Sequence, residues 1–305
     1  MWYSSNNVIT TRQTGTLTKT YLENNSSMFE KALKLLSARR DLDEDIMSAC
    51  MHAIMSGEAT DVQISSFLTA LMMKGETAQE IAAAARVMRS KAATIPLKHS
   101  LDDALVDIVG TGGDMANTFN ISTAAAFVAC AAGLSIAKHG NRAATSSCGS
   151  ADVLEALGVN IMLTPAQVAA CIERIGIGFL FARNLHPAMK YAAPVRAQIS
   201  VPTVFNLLGP LTNPADADYV VLGVNRYGLT DMLAAVSGLL GRKRALVVHG
   251  LDGLDEISIC APTRISRYEN GAVTTSIFTP AELGLPCANR SDIVGGDATR
   301  NADNI

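Results

Sequence analysis

Between Met28 and about Ser100, apolar residues fall at helical spacing. Leu33 and Leu36 come first, then Ile46, Cys50 and Ile54, the recurrence of one buried helix face. Two further helices mark their own starts. Thr60-Asp61-Val62-Gln63 precedes Ile64, Phe67, Leu68, Leu71 and Met72, and Thr77-Ala78-Gln79-Glu80 precedes Ile81, Ala84, Ala85 and Met88. A Thr followed three residues later by Gln or Glu satisfies two orphan N–H groups reciprocally. Gly75 stops the first of these helices. The stripes predict core and helix–helix packing and carry no chemistry. Residues 1–27 are rich in Ser, Thr and Asn without periodicity and predict a disordered extension. Thr94 to Asp103, with Pro96, reads as a hinge.

Beyond the hinge, short apolar runs alternate with helical stretches. Val106 to Val109, a run just before Lys138, Gly178 to Phe181, Tyr219 to Val224 and Ala245 to Val248 predict buried strands. Helices are expected from Ser122 through Ala124 to Gly133, over Ser150 to Leu157, and over Thr230 to Leu240. Thr164-Pro165 is an N-cap with Pro at the first helical position, launching Val168 to Ile175. Asn270-Gly271, between Arg264–Tyr268 and Val273–Phe278, predicts a two-residue hairpin. The expected fold class is α/β: a small N-terminal helical domain (28–100), joined in space by a helical segment near 185–200, plus a larger α/β domain (101–305). In the latter a central, mostly parallel sheet is flanked by helices. Pro280 to Pro286 reads as a loop, and a helix starts from Gly295-Gly296-Asp297-Ala298.

Composition narrows the function. The 305 residues are 49% hydrophobic with net charge −3, so no global basic field recruits nucleic acid or an anionic membrane. Six cysteines (Cys50, Cys130, Cys148, Cys171, Cys260, Cys287) form no CxxC pair, which reads as reduced thiols and a cytoplasmic location. No apolar run approaches a membrane span of about 18 residues, and no signal pattern opens the chain. Cys148, in a polar loop, reads either as a reactive thiol or as a small loop residue.

The chemistry concentrates between Val106 and Gly158. Gly110-Thr111-Gly112-Gly113-Asp114 follows a strand and precedes a helix start at Asn120-Ile121-Ser122-Thr123. Three glycines in four residues let the backbone approach a ligand closely. Free N–H groups and the positive dipole end of the following helix favour a phosphate there. Asp114 either competes for the same N–H groups or holds a ribose hydroxyl. Lys138 adds a point charge after the next strand. Ordinary turn chemistry is the competing reading, because the spacing fits neither the dinucleotide fingerprint (Met115 replaces its third Gly) nor the P-loop.

Six blocks together resemble the anthranilate phosphoribosyltransferase family. They are Gly110–Asp114, Asn120–Thr123, Lys138-His139-Gly140-Asn141-Arg142, Gly149–Glu155, Asn206-Leu207-Leu208-Gly209-Pro210-Leu211-Thr212-Asn213-Pro214 and Gly253-Leu254-Asp255-Glu256-Ile257-Ser258. They stand in the family's order and spacing, and the resemblance runs from Met28 to the end. It implies transfer of the phosphoribosyl group of phosphoribosyl pyrophosphate (PRPP) to anthranilate, giving N-(5-phosphoribosyl)anthranilate and pyrophosphate in tryptophan biosynthesis. It implies PRPP contacts from Gly110, Gly113, Asp114, Thr118, Asn120, Ser122, Thr123, Lys138, Ser146 and Ser150. Anthranilate contacts are implied at Gly110, Asn141 and Arg196, with Lys138, Asn141 and Arg196 as the catalytic set. Mg2+ is the implied cofactor, on Ser122, Asp255 and Glu256, since a diphosphate pairs with a hard cation held by oxygen. His139 either lines the acceptor path or is a hydrogen-bonded loop histidine. Ser147 stands where relatives carry Lys, Arg or Ser, so one possible charge on the substrate is lost.

The resemblance further implies a homodimer through the helical domain, with Leu33, Leu36, Ile46 and Ile54 at the contact, and closure of the two domains around a cleft. It also implies a few dozen further helical residues past Ile305, which makes an inactive shortened enzyme one alternative. A pyrimidine nucleoside phosphorylase shares the architecture but handles phosphate and a nucleoside, without the Asn120–Thr123 and Asp255-Glu256 arrangement. A nucleic-acid-binding relative would need a basic surface, which the charge opposes.

Overall fold

The computed structural model describes residues 27–98, 104–143 and 147–305. The extension expected at 1–27 therefore lies outside the described residues except for Ser27, as do the end of the hinge and Ser146. The described residues open with four helices: α1 (27–37), α2 (Glu44–Ser56), α3 (Asp61–Lys74) and α4 (Ala78–Ser90). Both threonine signals form complete capping boxes, Thr60 with Gln63 and Thr77 with Glu80. Glu80 does more than cap. It is buried, accepts from Leu42 N at 2.8 Å and from Lys74 Nζ at 2.7 Å, and so ties the α1–α2 connection to the α3–α4 turn.

The second part alternates strand and helix. Its elements are β1 (Leu105–Gly110), α5 (Ile121–Ala131), β2 (Ser135–Gly140), α6 (Ser150–Ala156), α7 (Pro165–Ile175) and β3 (Ile177–Phe181). The short α8 (Ala182–Leu185), α9 (Met189–Ile199) and α10 (Phe205–Leu208) lead to β4 (Tyr219–Gly223), α11 (Thr230–Leu239), β5 (Arg244–Gly250), β6 (Thr263–Glu269), β7 (Ala272–Phe278) and α12 (Ala298–Asn304). The strands form one sheet in the order β3-β2-β1-β4-β5-β6-β7. From β3 to β5 the neighbours in that order are parallel, and β6 and β7 add an antiparallel hairpin. Asn270 and Gly271 both take positive φ, 52° and 80°, as a type I′ turn requires.

α9 packs against α2 and α3, and α4 packs against α10 and α11. One continuous apolar core therefore runs from Phe29 through the run of buried alanines Ala82–Ala85 to Val220, Leu222 and Val247 of the sheet. Small side chains on α4 allow that close approach. Leu36, Ile46 and Ile54, expected at a contact between two copies, are buried in this core instead. They are spent on the protomer's own packing and are not presented to a partner.

The sheet order sets the position of the site. The chain leaves β1 toward β2 and β3, then returns to place β4 on the other side of β1. The strand order reverses there, and a crevice opens at the carboxyl ends of β1 and β4, where ligands bind in open α/β sheets. Gly110 and Gly223 pair at that edge. A Cβ on Gly223 would lie 1.6 Å from the Asp255 backbone oxygen, so only glycine admits the 251–258 loop. Gly223→Ala should cost about 3 kcal/mol in chemical denaturation, whereas Gly228→Ala, with no atom within 4 Å of its added Cβ, should stay near the parent. Equal stabilities would contradict this packing.

Candidate active site

The glycine loop leaves β1 with Gly112 and Gly113 at φ 66° and 78°. It is anchored from β4: Thr111 N donates to Gly223 O at 2.9 Å, and Asn225 Nδ2 donates to Gly112 O at 2.9 Å. Its N–H groups are not all free. Gly112 N donates to the Asp255 carboxylate at 2.7 Å, and Ser122 N, in the first turn of α5, donates to Glu256 Oε1 at 3.2 Å. The phosphate-type donors expected from sequence are thus shared with two consecutive acids of the loop after β5. Asp114 accepts from Ala116 N at 3.1 Å, and its carboxyl lies against that of Asp255.

The electrostatics of this cluster follow from burial. Burial first, then the Asp114 charge, pushes the Asp255 carboxyl up to about 6. Burial, then Asp255, pushes Glu256 up to about 8. Lys138 rises from β2 beneath the loop, 3% exposed, with Nζ donating to Ile108 O at 2.7 Å and lying 3.4 Å from Ser122 Oγ. Burial lowers its ammonium pKa while Asp107 and Glu256 raise it. The acids outnumber the nearby cation, so the cluster can accept further positive charge. Among the described residues no three His, Cys, Asp or Glu side chains close around one metal position. The two carboxylates and the Ser122 hydroxyl are nonetheless the hard oxygen set that Mg2+ favours when substrate oxygens and water complete its shell.

The second polar loop follows β2. Asn141 is exposed; its Oδ1 accepts from Arg142 N at 2.9 Å and its carbonyl from Ser150 Oγ at 3.2 Å. Gly140 admits Ser150, whose Oγ would lie 2.2 Å from an added Cβ. Arg142 turns away to Asp152 and Glu155. Thr118 pairs with Val294 through the backbone, and Thr123 is buried in the first turn of α5. Arg196 on α9 stacks over Phe205 with its guanidinium carbon 5.1 Å from the ring centre. Burial pushes its pKa down, and among the described residues no carboxylate pairs with it. Such a guanidinium suits a planar carboxylate from outside.

His139 is a buried strand residue. Its Nδ1 meets Gly209 O at 3.1 Å and its Nε2 meets His186 Nε2 at 3.2 Å. Burial pushes His139 down to about 3 and His186 to about 4, so both are neutral at pH 7. Cys148 is likewise buried, with its thiol pushed up by burial, which favours the inert reading.

Several residues escaped the sequence reading. Asp107, buried within β1, accepts from His139 N at 3.1 Å and Asn213 Nδ2 at 2.8 Å, and so fixes the end of β2. A lone acid inside a buried-strand run was the available signal. Asn225 and Asn301 carried none, since the site residues they hold, Gly112 and Asn120, lie far along the chain.

The model described as "Glycosyl transferase family, a/b domain" matches residues 102–305, and "Glycosyl transferase family, helical bundle domain" matches 30–92. The anthranilate phosphoribosyltransferase of Alkaliphilus metalliredigens (strain QYMF) is 52% identical over 280 residues, covering 91% of this chain and 81% of its own length. The chain belongs to the anthranilate phosphoribosyltransferase family. The family member from Herpetosiphon aurantiacus is 54% identical, over 88% of this chain and 79% of its own. Among solved structures, anthranilate phosphoribosyltransferase from Thermus thermophilus superposes with TM-score 0.83 at 46% identity, covering 90% of this chain and 80% of that one. The Saccharomyces cerevisiae enzyme in complex with PRPP and Mg superposes with TM-score 0.81 at 29% identity, covering 90% and 79%.

The raised Glu256 pKa ties stability to pH. Without Mg2+, the folded protein keeps that proton up to about pH 8, whereas the unfolded chain releases it near the ordinary 4.5. The folded state binds the extra proton across that window, so stability falls as pH rises through it. Relative to the parent, Glu256→Gln should gain melting temperature steadily between those limits and level off above. Parallel curves would contradict the assignment.

Proposed function

We propose that this chain transfers the phosphoribosyl group of PRPP to the amine of anthranilate, releasing pyrophosphate, as a step of tryptophan biosynthesis. The observation that carries the reading is the meeting, at the β1–β4 crevice, of the glycine loop, the start of α5 and the Asp255-Glu256 pair. Family membership supports it, and a family member is known in complex with PRPP and Mg.

On this reading PRPP lies along Gly110, Gly113, Asp114 and Thr118, with Asn120, Ser122 and Thr123 at the helix start. Lys138, Ser146 and Ser150 complete its oxygen contacts. The α5 N-terminus and Lys138 face the charge that develops on the departing diphosphate, where fixed donors act most strongly. Ser122, Asp255 and Glu256 would hold Mg2+, which would further neutralise that leaving group. Anthranilate sits across the crevice by Gly110, its carboxylate taken by Arg196 with Asn141 beside it, so that the amine faces the anomeric carbon. The C–N bond forms as the C–O bond to diphosphate breaks, and the amine proton leaves to solvent. An aromatic amine is already a neutral nucleophile, so alignment and charge neutralisation carry the catalysis, with no general base. We also propose that the enzyme is cytoplasmic and works as a homodimer through its helical domain; Val62 and Met73, exposed on α3, support a contact there.

Anthranilate fluorescence should decay on adding the protein, PRPP and Mg2+, and Asp255→Asn/Glu256→Gln should abolish the decay. Arg196→Lys should raise KM for anthranilate about tenfold or more, because a point charge replaces a two-bond fork, and leave KM for PRPP within about twofold. No turnover by a folded parent, or an Arg196→Lys defect confined to PRPP, would overturn the reading.

A further inference from the structure

The segment before and within α12 clamps both polar loops. Phe119 N donates to Ile293 O at 3.1 Å and Gly295 N to Asn117 O at 2.8 Å. Gly295 fits only as glycine, since a Cβ would lie 2.6 Å from Thr118 O. On the other side Ser147 Oγ donates to Gly296 O at 3.0 Å.

At the centre of the clamp is Asn301, 1% exposed. Its Oδ1 accepts from Gly296 N at 2.7 Å, and its Nδ2 donates to Asn120 Oδ1 at 3.0 Å. Asn120 Nδ2 in turn donates to Cys148 O at 3.1 Å. The Asn301 amide also lies beside the Cys148 thiol. The chain of bonds starts on a backbone N–H and ends on a backbone carbonyl. Neither end can reverse, so both amides are held in one orientation.

The start of α5 feels this directly. Asn120 is its N-cap residue, a position where Asn ordinarily accepts from the N–H groups of the first turn. Here it makes no such bond: its oxygen accepts from Asn301 Nδ2, while Ser122 N donates to Glu256 and Thr123 N to the Asn120 carbonyl. The Asn120 side chain is thereby kept from occupying the helix start. We infer that Asn301 is a positioning residue for PRPP: it turns Asn120 away from capping α5 and joins the glycine-loop side of the site to the Cys148 loop. The inference rests on the proposed function.

Asn301→Asp keeps the size and the acceptor for Gly296 N but cannot donate, and it sets two acceptors face to face. KM for PRPP should rise roughly tenfold, the scale of one unsatisfied buried hydrogen bond, with kcat and KM for anthranilate within about threefold. In an Asn120→Ala background the same change should add nothing, because its effect runs through Asn120. Asn301→Ser, which removes the bond without adding charge, repeats the comparison should Asn301→Asp melt below the assay temperature. An unchanged KM for PRPP, an equal loss on both substrates, or additive losses in the double variant would overturn the inference. The parent is measured alongside by calorimetry with PRPP and Mg2+. A parent that binds but does not turn over sinks the activity while the binding constants still report on Asn301; a parent that does not bind sinks both.

Discussion

Two acids held against two backbone N–H groups govern this molecule. Asp255 reaches Gly112 N and Glu256 reaches Ser122 N, so the loop after β5 closes over the loop after β1 and the start of α5. Both acids are half-buried, the Asp255 charge raises the Glu256 pKa further, and Lys138 lies close beneath them. Burying like charges is costly unless something offsets them. Here partial protonation and two N–H donors do so, and a cation brought with a diphosphate would do so more fully. On the proposed reading the same residues trade stability for a place where a negatively charged, metal-bearing substrate is favoured.

The fold supplies the closeness this requires. Gly223 lets the Asp255 backbone pass against the end of β4, Gly110 leaves room for the Asp255 carboxylate, and Gly140 leaves room for Ser150. Asp107 within β1 and Asn213, buried in the segment before β4, lock the end of β2 from which Lys138, His139 and Asn141 project. Arg196 stands on α9, a helix that packs with α2 and α3. On the proposed reading the acceptor side is carried by the helical layer and the diphosphate side by the sheet.

What could be read from sequence is what neighbouring residues decide. The Thr60 and Thr77 boxes, the Thr164 cap and the Asn270-Gly271 turn depend on partners within three residues, and their chemistry shows in the chain itself. The glycine loop and its helix were legible as a place for an anion. That their N–H groups are shared with acids more than 130 residues on was not, because nothing local encodes the 143- and 134-residue separations. Leu36, Ile46 and Ile54 show the opposite limit: an apolar stripe has the same pattern whether it faces its own core or a second copy. His139 and His186, 47 residues apart, meet only through the sheet.

On the proposed reading, Mg2+ arriving with PRPP would displace the proton that the acid pair holds near pH 7. Calorimetric titration of PRPP with Mg2+ near pH 7, in two buffers of different ionisation enthalpy, measures that proton directly. With Glu256 pushed up to about 8 and Asp255 to about 6, binding should release about one proton per site, and Glu256→Gln should release close to none. Binding without proton release in the parent would contradict the account.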